Sequence, residues 1–383
     1  MRNIMVDEIH TIKDLSDEEL RGKVVLVRAG LNVPVTNGEI DNDFRIRRTL
    51  PTIAYLSGKG ARVVIISHIW GDETTSLKVV HEYLSRHMDV TFIDDILGED
   101  TPDIITDMGE GDVALVENLR LHDEEQANDE GFAQQIAELG DMYVNEAFSV
   151  SHREHASIVG IPQFLPGYAG LQMIEEIQSL SHAFEPDHPF IFILGGAKFA
   201  TKIPLISKFL PEIDELFVTG AIANVYLEAR GYEMGRSLMP KGTIEIGTAA
   251  EDERVIIPTD VVSRVDDEEI QKSVEELNES DDVRDIGPET LARIQEGIEK
   301  ASFIIWNGPV GDYELGFSES TREVARMIAE SDATSIVGGG DTLAALVGLE
   351  IEEKVSFAST GGGSMLEFLL NESLPGIEVL RKV

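Results

Sequence analysis

The stretch KVVLVRAGLNVP (23–34) contains a short apolar run that ends in an arginine. A continuous β-branched run of this length is typical of a strand that is buried on both faces of a parallel sheet. Arg28, Gly30 and Asn32 follow at its carboxyl end. In open parallel sheets, ligands bind beyond the carboxyl ends of the strands, so a binding site is expected here.

The same kind of run recurs along the chain and alternates with amphipathic segments. The further predicted strands are RVVIIS (62–67), VALV (113–116), DMYVN (141–145), FIFIL (190–194), ELFVT (215–219), RVIIP (254–258), SFIIW (302–306), TSIV (334–337) and KVSFAS (354–359). Helices are predicted between them, including 44–60, 76–87, 288–300 and 320–330. This alternation predicts an α/β protein with doubly wound, Rossmann-like parallel sheets that carry helices on both faces.

The alternation breaks between residues 160 and 189, where prolines flank one long helical pattern. A length of 383 residues suits two domains. The predicted divisions are an N-terminal domain at 1–165, an inter-domain helix at 166–184, a C-terminal domain at 185–365 and a C-terminal segment at 366–383.

The chain is strongly acidic, with 71 Asp and Glu against 31 Lys and Arg and a formal net charge of −40. A surface of this sign repels nucleic acid and anionic membranes, and we expect neither as a partner. The acidic residues suit either a basic partner or adaptation to high salt, and their even spread favours salt. The densest acidic stretch, 266–282, is predicted to be a solvated surface segment.

Two further features bear on location. The apolar runs are too short to span a bilayer, and the first residues lack the apolar core of a secretory signal. The sequence contains no cysteine, which excludes disulfides and thiolate metal sites. We expect a cytoplasmic protein, although the lack of cysteine alone says nothing about redox environment.

Cations and amides follow the predicted strands of the N-terminal half. They are Arg28, Asn32, His68, Asn118, Arg120, His152, Arg153 and His155, with Arg45 at the start of a predicted helix. Because basic residues are scarce in this chain, their concentration at strand ends predicts a site for an anion such as phosphate or carboxylate. For any single arginine, the alternative is a surface ion pair with one of the many acids.

Glycines follow the predicted strands of the C-terminal half instead. The junctions are ILGGAKFATK (193–202), IIWNGPVGDYE (304–314), SIVGGGDT (335–342) and SFASTGGGSMLEF (356–368). Glycine lets the backbone approach phosphates closely, and helix N-termini direct N–H groups at anions. Repeated strand–glycine–helix junctions therefore predict a nucleotide or polyphosphate site, at which Asp341 would hold Mg²⁺. A single Gly-Gly pair would be explained equally well by a tight turn.

Common signatures of other nucleotide enzymes are missing. The sequence contains neither G-x-x-x-x-G-K-[ST] nor G-x-G-x-x-G, and no H-E-x-x-H zinc motif. The His152-Arg153-Glu154 sequence differs from the H-R-D motif of protein kinases in its last residue. P-loop NTPases and simple dinucleotide dehydrogenases are therefore disfavoured.

The motifs resemble those of one family, phosphoglycerate kinase. LGGAKFATKI, WNGPVGDYE, IVGGGDT and STGGGSMLE are similar to the family's glycine-rich stretches, and VENLR, AFSVSHREHAS and DIGPET match as well. These motifs extend from residue 24 to 376. The resemblance implies reversible transfer of a phosphoryl group between 1,3-bisphosphoglycerate with MgADP and 3-phosphoglycerate with MgATP. It also implies a glycerate-binding N-terminal domain, a nucleotide-binding C-terminal domain, domain closure, and a C-terminal segment that returns to the N-terminal domain.

The resemblance also implies roles for individual residues. Residues implied to bind the glycerate are Asn32, Arg45, His68, Arg120, His152 and Arg153. Residues implied to stabilise the transferring group are Arg45, Lys198, Lys202, Gly361 and Gly362. Residues implied to bind the nucleotide are Gly196, Lys202, Gly220, Asn307, Glu314, Gly339, Gly340, Asp341 and Thr342. The implied partners are the small-molecule substrates, with ATP or ADP as co-substrate and Mg²⁺ on Asp341. We expect the chain to be a monomer.

The sequence departs from the family pattern in the glycerate-binding half. Gly30 stands where the family has an aspartate that contacts the substrate hydroxyl, and SHIWGDE (67–73) lacks the family's arginine. These departures leave three hypotheses: a phosphoglycerate kinase, a kinase of the same scaffold with a shifted small-acid acceptor, or a non-catalytic nucleotide-binding protein. The complete transfer set argues against the third.

Overall fold

Two parallel β-sheets organise this protein, one in each of two units. The computed structural model describes residues 4–71, 75–242, 246–266, 268–346 and 348–382. The first unit contains the described residues up to Ser181 together with those from Asn371 onward. The second unit is His182–Leu370.

The sheet of the first unit is parallel throughout and has the order β5-β6-β4-β1-β7-β8. Strands of this unit are β1 (Val24–Ala29), β2 (Val35–Thr36), β3 (Glu39–Ile40), β4 (Arg62–Ile66), β5 (Thr91–Ile93), β6 (Val113–Val116), β7 (Met142–Glu146) and β8 (Gly167–Ala169). All residues of β1 are buried, as expected of a central strand covered on both faces. Strands β2 and β3 form a separate antiparallel hairpin.

Helices cover the first sheet and close its core. They are α1 (Ile4–Asp7), α2 (Asp17–Leu20), α3 (Phe44–Gly58), α4 (Lys78–Leu84), α5 (Thr101–Asp107), α6 (Asp123–Ala127), α7 (Glu130–Ala137) and α8 (Leu171–Ser181). Helix α3 buries Ile46, Ile53 and Leu56 against Val25 and Val27 of β1 in one apolar cluster. Their spacing is that of one helix face, which explains the amphipathic pattern in the sequence.

The main sheet of the second unit is also parallel, with the order β11-β10-β9-β15-β16-β17. Strands of this unit are β9 (Phe190–Leu194), β10 (Glu215–Val218), β11 (Val255–Ile256), β12 (Asp260–Val265), β13 (Glu268–Ser273), β14 (Asp282–Ile286), β15 (Phe303–Asn307), β16 (Thr334–Gly338) and β17 (Phe357–Ser359). Its helices are α9 (Phe199–Phe209), α10 (Gly220–Ala229), α11 (Pro288–Ile298), α12 (Glu319–Glu330), α13 (Gly340–Ala345) and α14 (Gly363–Asn371). The strand order reverses between β9 and β15, and such a switch point forms a crevice at the carboxyl ends of the strands. The predicted doubly wound α/β class is confirmed.

An antiparallel sheet, β13-β12-β14, is the largest element that the sequence analysis missed. A solvated surface segment was predicted at 266–282, and β13 within it is mostly exposed; the strand itself was not predicted. Asp281 anchors this stretch: its buried carboxylate accepts hydrogen bonds from Ser263 Oγ at 2.7 Å and Lys272 Nζ at 3.1 Å. The acidic composition concealed the strand, since Asp and Glu are depleted in strands.

The inter-domain helix is shorter than the predicted 166–184, because helix α8 begins only at Leu171. The residues before it form β8, which pairs with β7 at the edge of the first sheet. Neither β5 nor β8, each of three residues, was predicted.

Residues near the C-terminus pack into the first unit beside helix α15 (Pro375–Glu378). The Gly376 amide donates to the Ser151 carbonyl at 2.8 Å, and Asn145 Nδ2 donates to the Gly376 carbonyl at 3.0 Å. These bonds join the end of β7 to a segment more than two hundred positions away. No helix within the described residues has the length and apolar character needed to cross a membrane.

Gly170 provides a test of the packing between the start of α8 and the end of β7. A Cβ at Gly170 would lie 1.9 Å from Oε2 of buried Glu146, whose other oxygen, Oε1, accepts from the Gln172 amide at 3.0 Å. We expect Gly170→Ala to lower the free energy of unfolding by about 1–3 kcal/mol through overpacking. Gly58→Ala, at the end of α3, is the control, because a Cβ added there would have nothing within 4 Å. Denaturant titration measures both, and equal stabilities for the two variants would contradict the expectation.

Candidate active site

A buried arginine–histidine contact lies at the carboxyl end of the first sheet. Arg28 lies in β1, and His68 lies just after neighbouring β4. Both residues are 1% exposed, and Arg28 Nη2 lies 2.8 Å from His68 Nδ1. Arg28 also donates from Nε to Ser157 Oγ at 2.8 Å and from Nη1 to the Ala29 carbonyl at 2.6 Å.

Further cations surround His68. Burial lowers the pKa of His68 well below its usual range, and nearby guanidinium groups lower it further. Those groups belong to Arg28, Arg120, Arg153 and Arg45. These four arginines and His68 are called the cationic cluster below. So many positive charges in a partly buried space repel one another, and an anion would relieve that repulsion.

Arg120 shows the strength of this repulsion. Burial, followed by the charges of Arg153 and Arg28, lowers its pKa to about 10. Its Nε is buried without a hydrogen-bond partner among the described residues. A buried donor without a partner is costly, so this group favours an incoming acceptor.

Asn32 and Arg45 are joined through the backbone. Arg45 Nη1 donates to the Asn32 carbonyl at 2.7 Å, which holds the start of α3 against the loop after β1. Asn32 Oδ1 accepts from the Trp70 amide at 2.8 Å. With its oxygen engaged in this way, the Asn32 side chain has its Nδ2 left as a donor. The sequence analysis did not identify Trp70, whose side chain is 61% exposed. Asp72 and Glu73 of SHIWGDE lie outside the described residues.

His152 lies beside Arg153 in the loop after β7. Arg153 Nε donates to His152 Nε2 at 3.5 Å, a long contact, and His152 Nδ1 is buried without a partner among the described residues. Burial, followed by the charges of Arg153 and His155, lowers the pKa of His152 to about 4. His152 is therefore neutral near pH 7 and adds a polar group rather than another charge.

The structure thus brings together residues that the sequence placed after separate strands. One expectation changes: Arg28 belongs to the cationic cluster but is enclosed by protein groups, so it does not face a ligand. Glu125, which sequence reasoning missed, lies behind it; this buried carboxylate accepts from Ser157 Oγ at 2.5 Å and from the Ser157 amide at 2.9 Å. No sequence signal distinguished Glu125 in so acidic a chain.

Gly30 is not required by the backbone. A Cβ there would lie 3.5 Å from Ser149 Oγ and 3.8 Å from Ala147 Cα, which are ordinary van der Waals distances. Its φ is also outside the left-handed region. Neither the neighbouring atoms nor the backbone conformation therefore requires glycine at position 30.

In the second unit, Lys202 lies at the switch point between β9 and β15. It is 3% exposed, and its Nζ donates to the Gly195 carbonyl at 2.5 Å and to the Asn307 carbonyl at 3.5 Å. Burial, followed by the charge of Lys198, lowers the pKa of Lys202 to about 7. Lys202 lies in the first turns of α9, where the helix dipole disfavours a cation unless an anion is near.

Lys198 and Asp341 form an ion pair at the same crevice. Lys198 Nζ lies 3.0 Å from Asp341 Oδ2, and both side chains are about half exposed. Asp341 lies in the first turn of α13. The pair therefore holds two candidate residues in contact with solvent, where either can exchange its partner for a ligand.

The glycine junctions of the second unit pack closely against one another. A Cβ at Gly220 would lie 2.5 Å from the Gly196 nitrogen, and the Gly308 amide donates to Thr342 Oγ1 at 2.8 Å. Gly339 has a φ of 112°, which favours glycine, and a Cβ added to it would lie 3.2 Å from Asn307 Nδ2. The predicted nucleotide residues of three separate junctions thus lie side by side.

The last junction leads into α14. A Cβ added to Gly362 would lie 3.5 Å from the Gly340 nitrogen, so two helix N-termini approach each other. The Gly361 amide donates to Ser359 Oγ at 3.1 Å. Gly362 is therefore better placed than Gly361 to offer a free amide.

A cavity of about 210 Å³ extends from these junctions. Its lining includes Gly196, Gly220, Leu238, Pro309, Glu314 and Asp341. Asn224 and Asp285 also line it and were not predicted. Asp285 is 7% exposed, and burial raises its pKa to about 7. A lining that combines apolar side chains with a few polar groups suits a nucleoside with its phosphates at the glycine junctions.

Comparison with known proteins agrees with this arrangement. The family model described as phosphoglycerate kinase matches residues 13–372. Phosphoglycerate kinase of Dictyoglomus turgidum is 43% identical, with 97% of this chain and 98% of that protein covered. Phosphoglycerate kinase of Coprothermobacter proteolyticus is 39% identical, with 96% and 98% covered.

Solved structures agree as well. The phosphoglycerate kinase structure from Coxiella burnetii has a TM-score of 0.81 at 36% identity, with 97% of this chain and 98% of that chain covered. The structure from Pyrococcus horikoshii has a TM-score of 0.83 at 31% identity, with the same coverage. The cationic cluster of the first unit, the glycine junctions of the second and these relatives lead to one conclusion: the chain belongs to the phosphoglycerate kinase family.

Proposed function

We propose that the cationic cluster of the first unit binds the glycerate, and that the glycine junctions of the second unit bind the nucleotide. Family membership makes the chain a glycolytic kinase, which reversibly transfers a phosphoryl group between 1,3-bisphosphoglycerate with ADP and 3-phosphoglycerate with ATP. The observation that carries the residue assignment is the segregation of charge. Several arginines crowd around His68, whereas buried Lys202 lies beneath glycine backbone.

In the first unit, the substrate has a carboxylate and a phosphate, and both only accept hydrogen bonds when ionised. The proposed donors are Asn32, Arg45, His68, Arg120, Arg153 and neighbouring His152. Arginine suits this task because its planar guanidinium binds carboxylate and phosphate oxygens in a bidentate manner. Positioning the acceptor carboxylate is most of what the first unit must do, since phosphoryl transfer requires little covalent chemistry from the protein.

In the second unit, we assign the stabilisation of the transferring phosphoryl group to Lys202, Lys198 and the backbone at Gly361 and Gly362. The ammonium of Lys202 would stabilise charge on the equatorial oxygens, and its burial strengthens that attraction. The groups proposed to hold the nucleotide are Gly196, Gly220, Asn307, Glu314, Gly339, Gly340, Asp341 and Thr342. Their close backbone packing suits phosphates, and Glu314 on the cavity wall suits a ribose hydroxyl.

Asp341 is the proposed magnesium ligand. Its carboxylate is about half exposed and lies beside the glycine junctions, where Oδ2 meets Lys198. Mg²⁺ usually takes one or two carboxylates together with substrate phosphates and water, so a single protein carboxylate fits. When bound, the ion would neutralise charge on the nucleotide phosphates.

The alternatives weighed from the sequence have no support from the relatives, which bear the same kinase name along nearly the whole chain. We also infer that the enzyme works as a cytoplasmic monomer with small-molecule substrates and binds no nucleic acid. Its charge of −40 supports the last inference.

Lys202 is the first residue to test. We expect Lys202→Ala to lower kcat far more than nucleotide affinity, because its charge is needed mainly in the transition state. The wild-type kcat/KM for MgATP should fall as pH rises above about 7, since the ammonium with its lowered pKa then loses its proton. Lys208→Ala, at the end of α9, is the control. Equal losses in kcat and nucleotide affinity would count against the role.

Gly30 tests the acceptor site. The space around a Cβ added there admits a side chain, so Gly30→Asp should fold and lower KM for 3-phosphoglycerate by up to about tenfold, through a hydrogen bond to the substrate hydroxyl. Gly30→Ala controls for the added carbon and should leave KM unchanged. Steady-state kinetics measures both variants. A higher KM for Gly30→Asp than for Gly30→Ala would indicate that the pocket has been rebuilt.

Adaptation to high salt can be tested by measuring thermal stability as the salt concentration rises. With 71 acidic and 31 basic residues, self-repulsion destabilises the folded state at low ionic strength. We expect the thermal midpoint to rise as KCl increases from about 0.1 M to about 2 M, because screening lengths shorten from about 10 Å to a few Å. NaCl should act alike if screening is the cause. A midpoint that falls with both salts would contradict salt adaptation.

A further inference from the structure

Arg28 is buried although its side chain is charged. Its Nε, Nη1 and Nη2 each have a protein partner, on Ser157, Ala29 and His68 respectively. The residue is 1% exposed. A guanidinium held in this way cannot reach a ligand, although it lies within the cationic cluster. Its influence on a ligand must therefore pass through a neighbour.

That neighbour is His68. The hydrogen bond between the two side chains can have only one direction. A guanidinium donates hydrogen bonds and never accepts them, so His68 Nδ1 must accept from Arg28 Nη2 across the 2.8 Å contact. A neutral imidazole carries one proton, which then lies on Nε2. Burial and the surrounding arginines keep the ring neutral by lowering its pKa.

The other edge of the ring carries Nε2. His68 is 1% exposed, and Nε2 has no hydrogen-bond partner among the described residues. With Nδ1 engaged by Arg28, Nε2–H is the donor that the ring has left for an anion in the cationic cluster. The opposite tautomer would present a lone pair there, which repels an anion.

A buried relay supports Arg28 from behind. Ser157 Oγ donates to Glu125 Oε1 at 2.5 Å, so a lone pair of the same oxygen accepts from Arg28 Nε. Glu125 supplies the negative charge that favours a buried Arg28 cation. His155 Nδ1 lies 3.9 Å from Glu125 Oε1, so the carboxylate faces a second titratable group. The order from back to front is Glu125, Ser157, Arg28 and His68.

We propose that Arg28 is a positioning residue that holds His68 as its neutral Nε2–H tautomer, so that His68 donates a hydrogen bond to an anionic group of the glycerate. This inference rests on the proposed role of the first unit. The arrangement gives the site a donor without adding a charge to the four arginines already present, whose mutual repulsion an imidazolium would increase.

Nitrogen NMR of the free enzyme tests the tautomer directly. The resonances of His68 are identified as those lost in His68→Asn. We expect one protonated nitrogen, Nε2, and one unprotonated nitrogen, Nδ1, at every pH between about 6 and about 8. A proton on Nδ1, or protons on both nitrogens at neutral pH, overturns the inference whether or not any variant folds.

Arg28→Met then tests the cause. Without the donor at Nδ1, we expect both tautomers of His68 to appear and KM for 3-phosphoglycerate to rise about two- to tenfold. Only the Nε2–H fraction of the rings can donate to the substrate, so an even division between the tautomers raises KM about twofold. Loss of the ring's orientation accounts for the rest of the increase. KM for MgATP should stay unchanged. Arg62→Met, in neighbouring β4, is the control and should alter neither the tautomer nor KM.

Ser157→Ala provides a milder variant should Glu125 prevent Arg28→Met from folding. It removes the Nε contact but keeps the Arg28–His68 contact, so the Nε2–H tautomer should persist. A pure Nε2–H tautomer in Arg28→Met, or its loss in Ser157→Ala, overturns the role of Arg28. Addition of 3-phosphoglycerate separates the two proposals. An unchanged His68 Nε2–H resonance at saturation refutes the glycerate contact, whereas the tautomer of the free enzyme is judged without any substrate.

Discussion

Burial of positive charge is the constraint on which both crevices depend. Arg28 and Lys202 are each at most 3% exposed, and a lone buried cation is costly. The two units meet this cost differently. Burial lowers the pKa of Arg28, and Glu125, reached through Ser157, opposes that shift; a guanidinium stays protonated in proteins. Within the described part of the chain, Lys202 has only backbone carbonyls as hydrogen-bond acceptors, and its pKa is lowered to about 7. The first unit therefore holds a fixed charge, whereas the second holds one that a phosphate would stabilise.

Strand-end reasoning predicted much of this from sequence, because parallel strands bring their carboxyl ends to one edge. It placed Arg120 and His68 together although 52 positions separate them in the chain. The second sheet was predictable for the same reason, since FIFIL and SFIIW are continuous apolar runs that became adjacent strands.

Other features had no sequence signal. Strand β13 is rich in glutamate and glutamine, so composition concealed it. The importance of Glu125 comes from its depth behind Ser157, and depth is a property of packing rather than of composition. Arg28 was predicted to lie at the strand end, but the direction of its guanidinium depends on Ser157, which is 129 positions away. Tertiary contacts of this kind are invisible to a local pattern.

The closure of the first unit by residues from Asn371 onward has a consequence for synthesis. Asn145 and Ser151 bond to Gly376, so these buried polar groups lack that partner until Gly376 has left the ribosome. The second unit, by contrast, is one continuous segment, His182–Leu370. Domains generally fold as units while the chain emerges. During translation the second unit can therefore complete its core before the first unit does.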